Sequence, residues 1–469
     1  MPDRDVAILG GGNGGYACAL RAAQLGLTVT LVEQDKVGGT CLHRGCIPTK
    51  ALLHAAELME EIRSASSFGI VVGDPVVDGA KVSAYRDSVV TKLYKGLTGV
   101  LKSRKVEVVS GSGRLAGPGA VEVDGRTIEA GAVVLASGSK VRSLPVAPFD
   151  GTAFISSDDA LRLDTAPVSA VVIGAGAVGL EFASVWRSFG AEVTVVEALP
   201  RLAPGEDDEV SKELERQFKR RGIRFHTDAK VVGAAAEGPG ASVELETSGG
   251  ERLTLEAERC LVAVGRAAVS EGLGYEEAGV TLDRGYVVVD EHCRTGVDNL
   301  WAVGDLIAQP SLGLPFPHFQ LAHVAFGEGI HVAEQIAGLG DTFPVDYVGV
   351  PRCTYSHPEI ASVGLTERQA ADAGFEIEVA RFPWSASGKA SILGETGGFV
   401  KVVAEKAGRV LGVHMIGARV TELIAEAQLI TNWEAYPSEV AALIHPHPTQ
   451  TEALGEAMLH LAGKQLHGA

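Results

Sequence analysis

Two cysteines five positions apart, Cys41 and Cys46, stand in the stretch "VGGTCLHRGCIPTK", behind a glycine-rich segment and just ahead of a proline and a lysine. Paired thiols can ligate a metal, staple a loop or exchange electrons, and each use asks for different companions. A zinc half-site favours CxxC spacing and two further clustered ligands. The remaining cysteines, Cys18, Cys260, Cys293 and Cys353, are scattered singly and read as small buried residues. A structural disulfide suits an oxidising compartment. Redox exchange wants a lowered thiol pKa and a base. Pro48 suits the first turn of a helix through "KALLHAAELMEEI", which would put Cys46 at the helix N-terminus, where the dipole favours a thiolate. Lys50 follows one turn on and adds positive charge. Near the other end, "ALIHPHPTQTEALGEA" offers His447, with Pro448 expected to start a helix and Glu452 a turn later. A carboxylate so placed can hold an imidazole in one tautomer and stabilise its protonated form. A histidine in such a place more often has a structural role, and His445 and His447 could also form a metal pair.

The elements that position these groups are legible in a repeat. "DVAILGGGNGGYACALRAAQLGLTVTLVEQ" reads as strand, glycine turn, helix and strand, and "SAVVIGAGAVGLEFASVWRSFGAEVTVVEA" reads the same way without a gap. Gly10, Gly12 and Gly15 match Gly174, Gly176 and Gly179, and Glu33 matches Glu197 at the end of the second strand. The first glycine permits the tight turn, the second lets backbone approach a pyrophosphate, and the third lets helix and strand pack closely. The helix N-terminus offers N–H groups to phosphate, and the acid accepts from a ribose diol. One such motif is weak; two gapless copies imply two dinucleotide sites. Glu197 would repel a ribose 2′-phosphate and so favours NAD, although Arg201 nearby works the other way. A third signature, "TGVDNLWAVGDLI", brings Gly304 and Asp305 from a remote segment. An acid so placed suits the ribityl chain of FAD, or merely closes a turn.

A chain of 469 residues with 58 glycines and 46% hydrophobic residues suits about three compact α/β domains. The net charge of −18 disfavours a nucleic-acid footprint, which needs a basic face. No apolar run is long enough to span a bilayer. The strand-like "DVAILG" leaves no room for a signal peptide, so the cytoplasm is the expected location.

The cysteine loop, the two glycine turns, "LWAVGD" and "HPHPTQTE" occur in an order that resembles the flavoprotein disulfide reductases. "VEALPRLAPGEDDEVSK", "PRCTYSHPEIASVGLTE" and "LGVHMIGARVTELIAEA" extend the resemblance over almost the whole chain. It implies two doubly wound, Rossmann-like α/β nucleotide domains, the second inserted in the first, and a mixed α/β C-terminal dimerisation domain. Residues 1–147 and 270–345 would hold FAD, 148–269 NAD, and 346–469 the interface of a homodimer. The helix-rich "VSAYRDSVVTKLYKGLTGVLKSRKV" should pack on the first domain with its charges in solvent.

The same resemblance makes Cys41–Cys46 a redox disulfide, with Cys46 the thiolate against the flavin and Cys41 exchanging with substrate. It makes His447 the base, Glu452 its orienting partner and His445 a support for the loop, and it pairs Lys50 with Glu181. Cofactor contacts are implied at Gly39, Thr40, Gly113, Ser137 and Ala322 for FAD, and at Val231 and Gly265 for NAD; no metal is implied. The implied reaction is NAD-linked oxidation of dihydrolipoamide carried on a partner protein. The alternative within the family is reduction of a small disulfide such as glutathione or mycothione; that class generally uses NADPH, against which Glu197 counts. Mercuric reduction lacks its cysteine pair near the C-terminus, and a redox-inactive flavoprotein would need none of the cysteine, histidine and glutamate set. His43 and Arg44 depart from the common form of the cysteine loop. They either point into solvent or lower the Cys41 pKa. Val324 and Phe326 replace a Lys and a Glu frequent in the family, for which the sequence offers no account.

Overall fold

The computed structural model describes residues 3–467, in two compact units. The first is assembled from three stretches of chain: the residues up to Ala51, then Ser83–Arg142, then Arg266–Tyr347. Its sheet places Arg4–Leu9 between Val29–Glu33 and Arg126–Leu135, all parallel, with Glu107–Ser110 outside Val29–Glu33. The far side of Arg126–Leu135 is shared: Ala120–Val123 pairs antiparallel along its beginning, and Leu300–Ala302 pairs parallel along its end. Strands buried on both faces read as continuous aliphatic runs; Val6, Ile8, Leu31, Val133, Val134 and Leu135 are almost wholly buried. The long helix Gly79–Ser103 contributes Leu101 to this core, with Tyr94 and Leu97 packed beside it. Most of its charges are exposed, but Arg86 is buried.

The second unit comprises Leu52–Val82, Ser143–Gly265 and the chain from Val348 onward. It holds two principal sheets. The parallel one runs Arg224–His226, Glu192–Val196, Ser169–Ile173, Arg259–Val262 and Phe154–Ile155 in spatial order. The antiparallel one runs Arg352–Thr354, Glu359–Gly364, Val410–Gly417, Phe399–Glu405 and Ile377–Pro383. Val413, Met415, Ile424 and Met458 form the core between the latter sheet and the helices Val420–Asn432 and Glu452–Leu461. Lys401 is buried in this sheet and meets Asp207, Glu209 and Glu367 at 2.9, 3.1 and 2.6 Å. Among the described residues, no helix is long and apolar enough to cross a membrane.

Candidate active site

Both glycine turns are built alike. Gly10 and Gly174 adopt φ of +112° and +105°, where a side chain would strain the backbone. A Cβ at Gly15 would lie 1.9 Å from Gly10 O, and one at Gly179 would lie 2.0 Å from Gly174 O. At Gly12 and Gly176 a Cβ would meet nothing within 4 Å. These two positions cap the helices Asn13–Gln24 and Ala177–Ser188 without any side-chain acceptor. Open space over uncapped N–H groups is what a pyrophosphate requires.

The two acids do something the sequence did not reveal. Glu33 accepts from the Gly11 N–H at 2.7 Å and the Asp35 N–H at 2.8 Å. Glu197 accepts from Ala175 at 2.7 Å and Leu199 at 2.9 Å. Each carboxylate thus clasps its own glycine turn, and it keeps lone pairs for a ribose diol. Arg201 is tied down: it donates to Pro204 O at 2.9 Å and pairs with Asp208 at 2.8 Å. Glu197→Ala therefore loosens the turn and, on the expectation that Glu197 faces a ribose, removes its acceptor. We expect NADH affinity to fall by about 1–3 kcal/mol while bound FAD per subunit is retained, as titration of flavin fluorescence would report. Loss of FAD instead would mean the two modules are exchanged.

The cysteine loop is stitched to the first glycine turn. Gly38 N–H donates to Gly11 O at 2.8 Å, and a Cβ on Gly39 would lie 2.7 Å from Gly12 Cα. Cys41 lies in the short helix Gly39–Arg44, and Cys46 opens the helix Cys46–Ser64. Both side chains are half-buried. A side-chain hydrogen bond to Cys46 raises the Cys41 thiol pKa, burial adds to this, and Asn13 and Lys50 pull it down. His43 donates to Val37 O at 3.0 Å with its ring edge against Tyr94, and Arg44 pairs with Asp35 at 3.3 Å. The solvent-facing expectation therefore holds for Arg44, which is exposed, and gives way to local anchoring for half-buried His43. The Tyr16 hydroxyl, raised to about 12 by burial and by the charges of Cys41 and Cys46, also faces the pair.

Thr40 leads to a cluster that sequence reasoning missed. Arg266 donates to Ser139 Oγ at 2.6 Å, to Ser139 O at 2.8 Å and to Thr40 Oγ1 at 3.4 Å. Asp305 accepts from Ser139 Oγ at 2.5 Å and lies 3.6 Å from Arg266. Only the adjacency of Arg266 to Gly265 could have signalled it. Ser137 donates to Val269 O at 2.6 Å and accepts from Tyr275 at 2.9 Å. Gly113 packs where a Cβ would strike Leu9 and Val32. Ala322 opens the helix Ala322–Ile336, whose N-cap Leu321 supplies no side-chain bond. On that helix Val324 is buried and Phe326 sets its ring edge against Tyr16, centroids 5.4 Å apart. The two replacements thus serve apolar packing. Glu328, fully buried, was also missed; it accepts from Gly304 N–H at 2.6 Å, His318 at 2.7 Å and Tyr347 at 2.9 Å.

In the second unit, His447 Nδ1 donates to Glu452 Oε1 at 2.8 Å, and Thr449 N–H donates to Oε2 at 2.8 Å. Burial works to raise the Glu452 pKa, but the Thr449 amide and the imidazole outweigh it, so the carboxyl stays below its usual range. His447 keeps 78% of its side chain exposed. The helix begins at Glu452, not at Pro448, because the Thr449 amide turns back onto the Glu452 side chain. His445 bonds Glu426 at 2.7 Å and packs on Gly455, where a Cβ would come within 2.6 Å of its ring. Glu181 is buried and accepts from Tyr355 N–H at 3.0 Å. Val231 is half-buried in Ala229–Glu237, and Gly265 has φ +99°. Of the scattered cysteines, Cys18, Cys260 and Cys293 are buried and Cys353 half-buried.

Two nucleotide-type turns and a dithiol stitched to the first of them define a class of nucleotide-linked thiol oxidoreductases. The chain belongs to the pyridine nucleotide-disulphide oxidoreductase family, whose principal region matches residues 4–329 and whose dimerisation domain matches residues 350–458. It is 43% identical to the dihydrolipoyl dehydrogenase of Bacillus subtilis (strain 168) over 478 residues, covering 99% of each chain. The dihydrolipoyl dehydrogenase of Thermus scotoductus is 41% identical over 471 residues, covering 100% of this chain and 99% of its own. Among solved structures, LpdA of Mycobacterium tuberculosis superposes with a TM-score of 0.88 at 28% identity, over 97% of this chain and 99% of its own. The HOCl-induced flavoprotein disulfide reductase RclA of Escherichia coli reaches 0.83 at 26% identity, over 97% and 99%.

Proposed function

We propose that the chain is an NAD-linked dihydrolipoyl dehydrogenase, oxidising dihydrolipoamide carried on a protein of a multienzyme complex through Cys41 and Cys46. The observation that carries the reading is the pair of hydrogen-bonded thiols set against the first glycine turn. FAD is the cofactor of the first unit, held by Gly10, Gly12, Gly15, Glu33, Gly39, Thr40, Gly113, Ser137, Asp305 and Ala322. NAD takes the turn Gly174–Gly179 with Glu197, Val231 and Gly265. When bound, the flavin supplies a two-electron acceptor between the dithiol and the nicotinamide.

The chain's own groups handle sulfur and protons. Cys41 exchanges with the substrate, and Cys46, at its helix N-terminus beside Lys50, is kept as the thiolate. His447 accepts the substrate's thiol proton at Nε2, since Nδ1 is committed to Glu452. Lys50 and Glu181 are further charged residues of the proposed machinery. The dimerisation-domain match supports a homodimer. So do Leu443, Ile444 and Trp433, which are 64%, 96% and 76% exposed and would be covered by a second copy. The cytoplasm is the proposed location, where the disulfide can cycle.

Purified, flavin-loaded protein should oxidise free dihydrolipoamide with NAD⁺ in steady-state assay. kcat/KM for NAD⁺ should exceed that for NADP⁺ by roughly a hundredfold, since Glu197 rejects the 2′-phosphate and Arg201 is already neutralised. Preference for NADP⁺ together with turnover of a small disulfide would replace this reading by the alternative.

A further inference from the structure

Asn13 opens the helix Asn13–Gln24 directly after Gly12, the residue against which the cysteine loop packs through Gly39. The Gly38–Gly11 hydrogen bond of 2.8 Å fixes that contact. The side-chain amide of Asn13, half-buried, is thereby brought to Cys41 and hydrogen-bonds it. An amide N–H toward sulfur favours the thiolate over the thiol, because only the anion is a strong acceptor.

We propose that Asn13 is a catalytic residue of thiol–disulfide exchange, donating its amide N–H to Cys41 Sγ and stabilising that sulfur as it leaves. The proposal rests on the reading of Cys41 as the exchanging thiol. One substrate thiolate attacks Cys41 Sγ; the Cys41–Cys46 bond breaks and its electron pair stays on Cys46. The second substrate thiolate then attacks the substrate sulfur of the mixed disulfide. The lipoyl ring closes, and the electron pair of the broken bond leaves on Cys41. The substrate dithiol is oxidised by two electrons and the protein disulfide is reduced by two, with both thiol protons passing to base and solvent. Asn13 acts in the second displacement, where a better leaving thiolate departs faster. The other groups facing Cys41 are Cys46 and Lys50 from the following helix and Tyr16 from the helix of Asn13. Cys46 opposes Cys41 ionisation and Lys50 favours it.

The test is anaerobic alkylation of the reduced holoenzyme with iodoacetamide across pH, with Cys41 followed by peptide mass and rates normalised to bound flavin. Asn13→Ala should raise the pH midpoint of Cys41 alkylation by about one unit and lower kcat with dihydrolipoamide about tenfold. Asn13→Ser, a short hydroxyl donor, should recover part of both. Asn13→Asp should move the midpoint furthest upward. If Asn13→Ala loses flavin, the Ser and Asp variants carry the comparison. Coincident Cys41 profiles in the flavin-loaded variants and the wild type would overturn the proposal. Turnover of Cys41→Ser reports the underlying reading separately: retained activity there would remove Cys41 from the reaction, whatever the Asn13 variants do.

Discussion

A mixed dimer of one Cys41→Ser subunit and one His447→Gln subunit should recover about half of wild-type turnover, although each homodimer is nearly inactive. His447 is exposed and held by Glu452, while Ile444 beside it is 96% exposed. A two-fold dimer covers such a surface with the same surface of its partner. If each histidine serves the partner's cysteines, the hybrid contains one fully damaged site and one intact site. Losing a general base costs roughly 10²–10⁴-fold, so the return of half the activity stands far above either parent. Differently tagged subunits, co-purified and assayed per dimer, make the measurement. An inactive hybrid, shown to have formed, would refute the shared site.

Cys41→Ser should abolish dihydrolipoamide turnover yet leave FAD bound, with Cys46 released from its partner thiol beside Lys50. A long-wavelength charge-transfer band should then be present without any reductant. Cys46→Ser should not produce the band, because the proposed function gives Cys41 to the substrate. Absorbance spectra of the two purified variants decide the matter: a plain oxidised-flavin spectrum from Cys41→Ser would reverse the assignment of the two thiols.

The glycine turns were legible because their requirement is local. A glycine whose Cβ would sit 1.9 Å from a carbonyl oxygen cannot be anything else, and the repeat spacing records it. His447 and Glu452 were legible for the same reason, lying five residues apart and bonded at 2.8 Å. What the sequence concealed is long-range or depends on loop shape. Arg266 reaches Ser139 across 127 positions, and Glu328 gathers Gly304, His318 and Tyr347 from three separate segments. Arg44 was legible as a solvent-facing charge, but not its pairing with Asp35, which the turn brings about. Pro448 signalled a helix start, and a side chain accepting the Thr449 amide delayed that start to Glu452.

The twofold interruption of the first unit bears on how the chain is made. Val133, Val134 and Leu135, fully buried in the fold, have Leu300–Ala302 beside them in parallel register, with Leu300 opposite Val133. At about 5–20 residues per second, the ribosome takes roughly ten to thirty seconds to travel from one strand to the other. For that interval an apolar strand edge is bare, the kind of edge that recruits foreign strands. The parallel sheet of the second unit has no such wait, since its strands lie within Phe154–Val262 and are all made first. The earliest residues to emerge, with the first glycine turn among them, therefore belong to a sheet that closes after the inserted one.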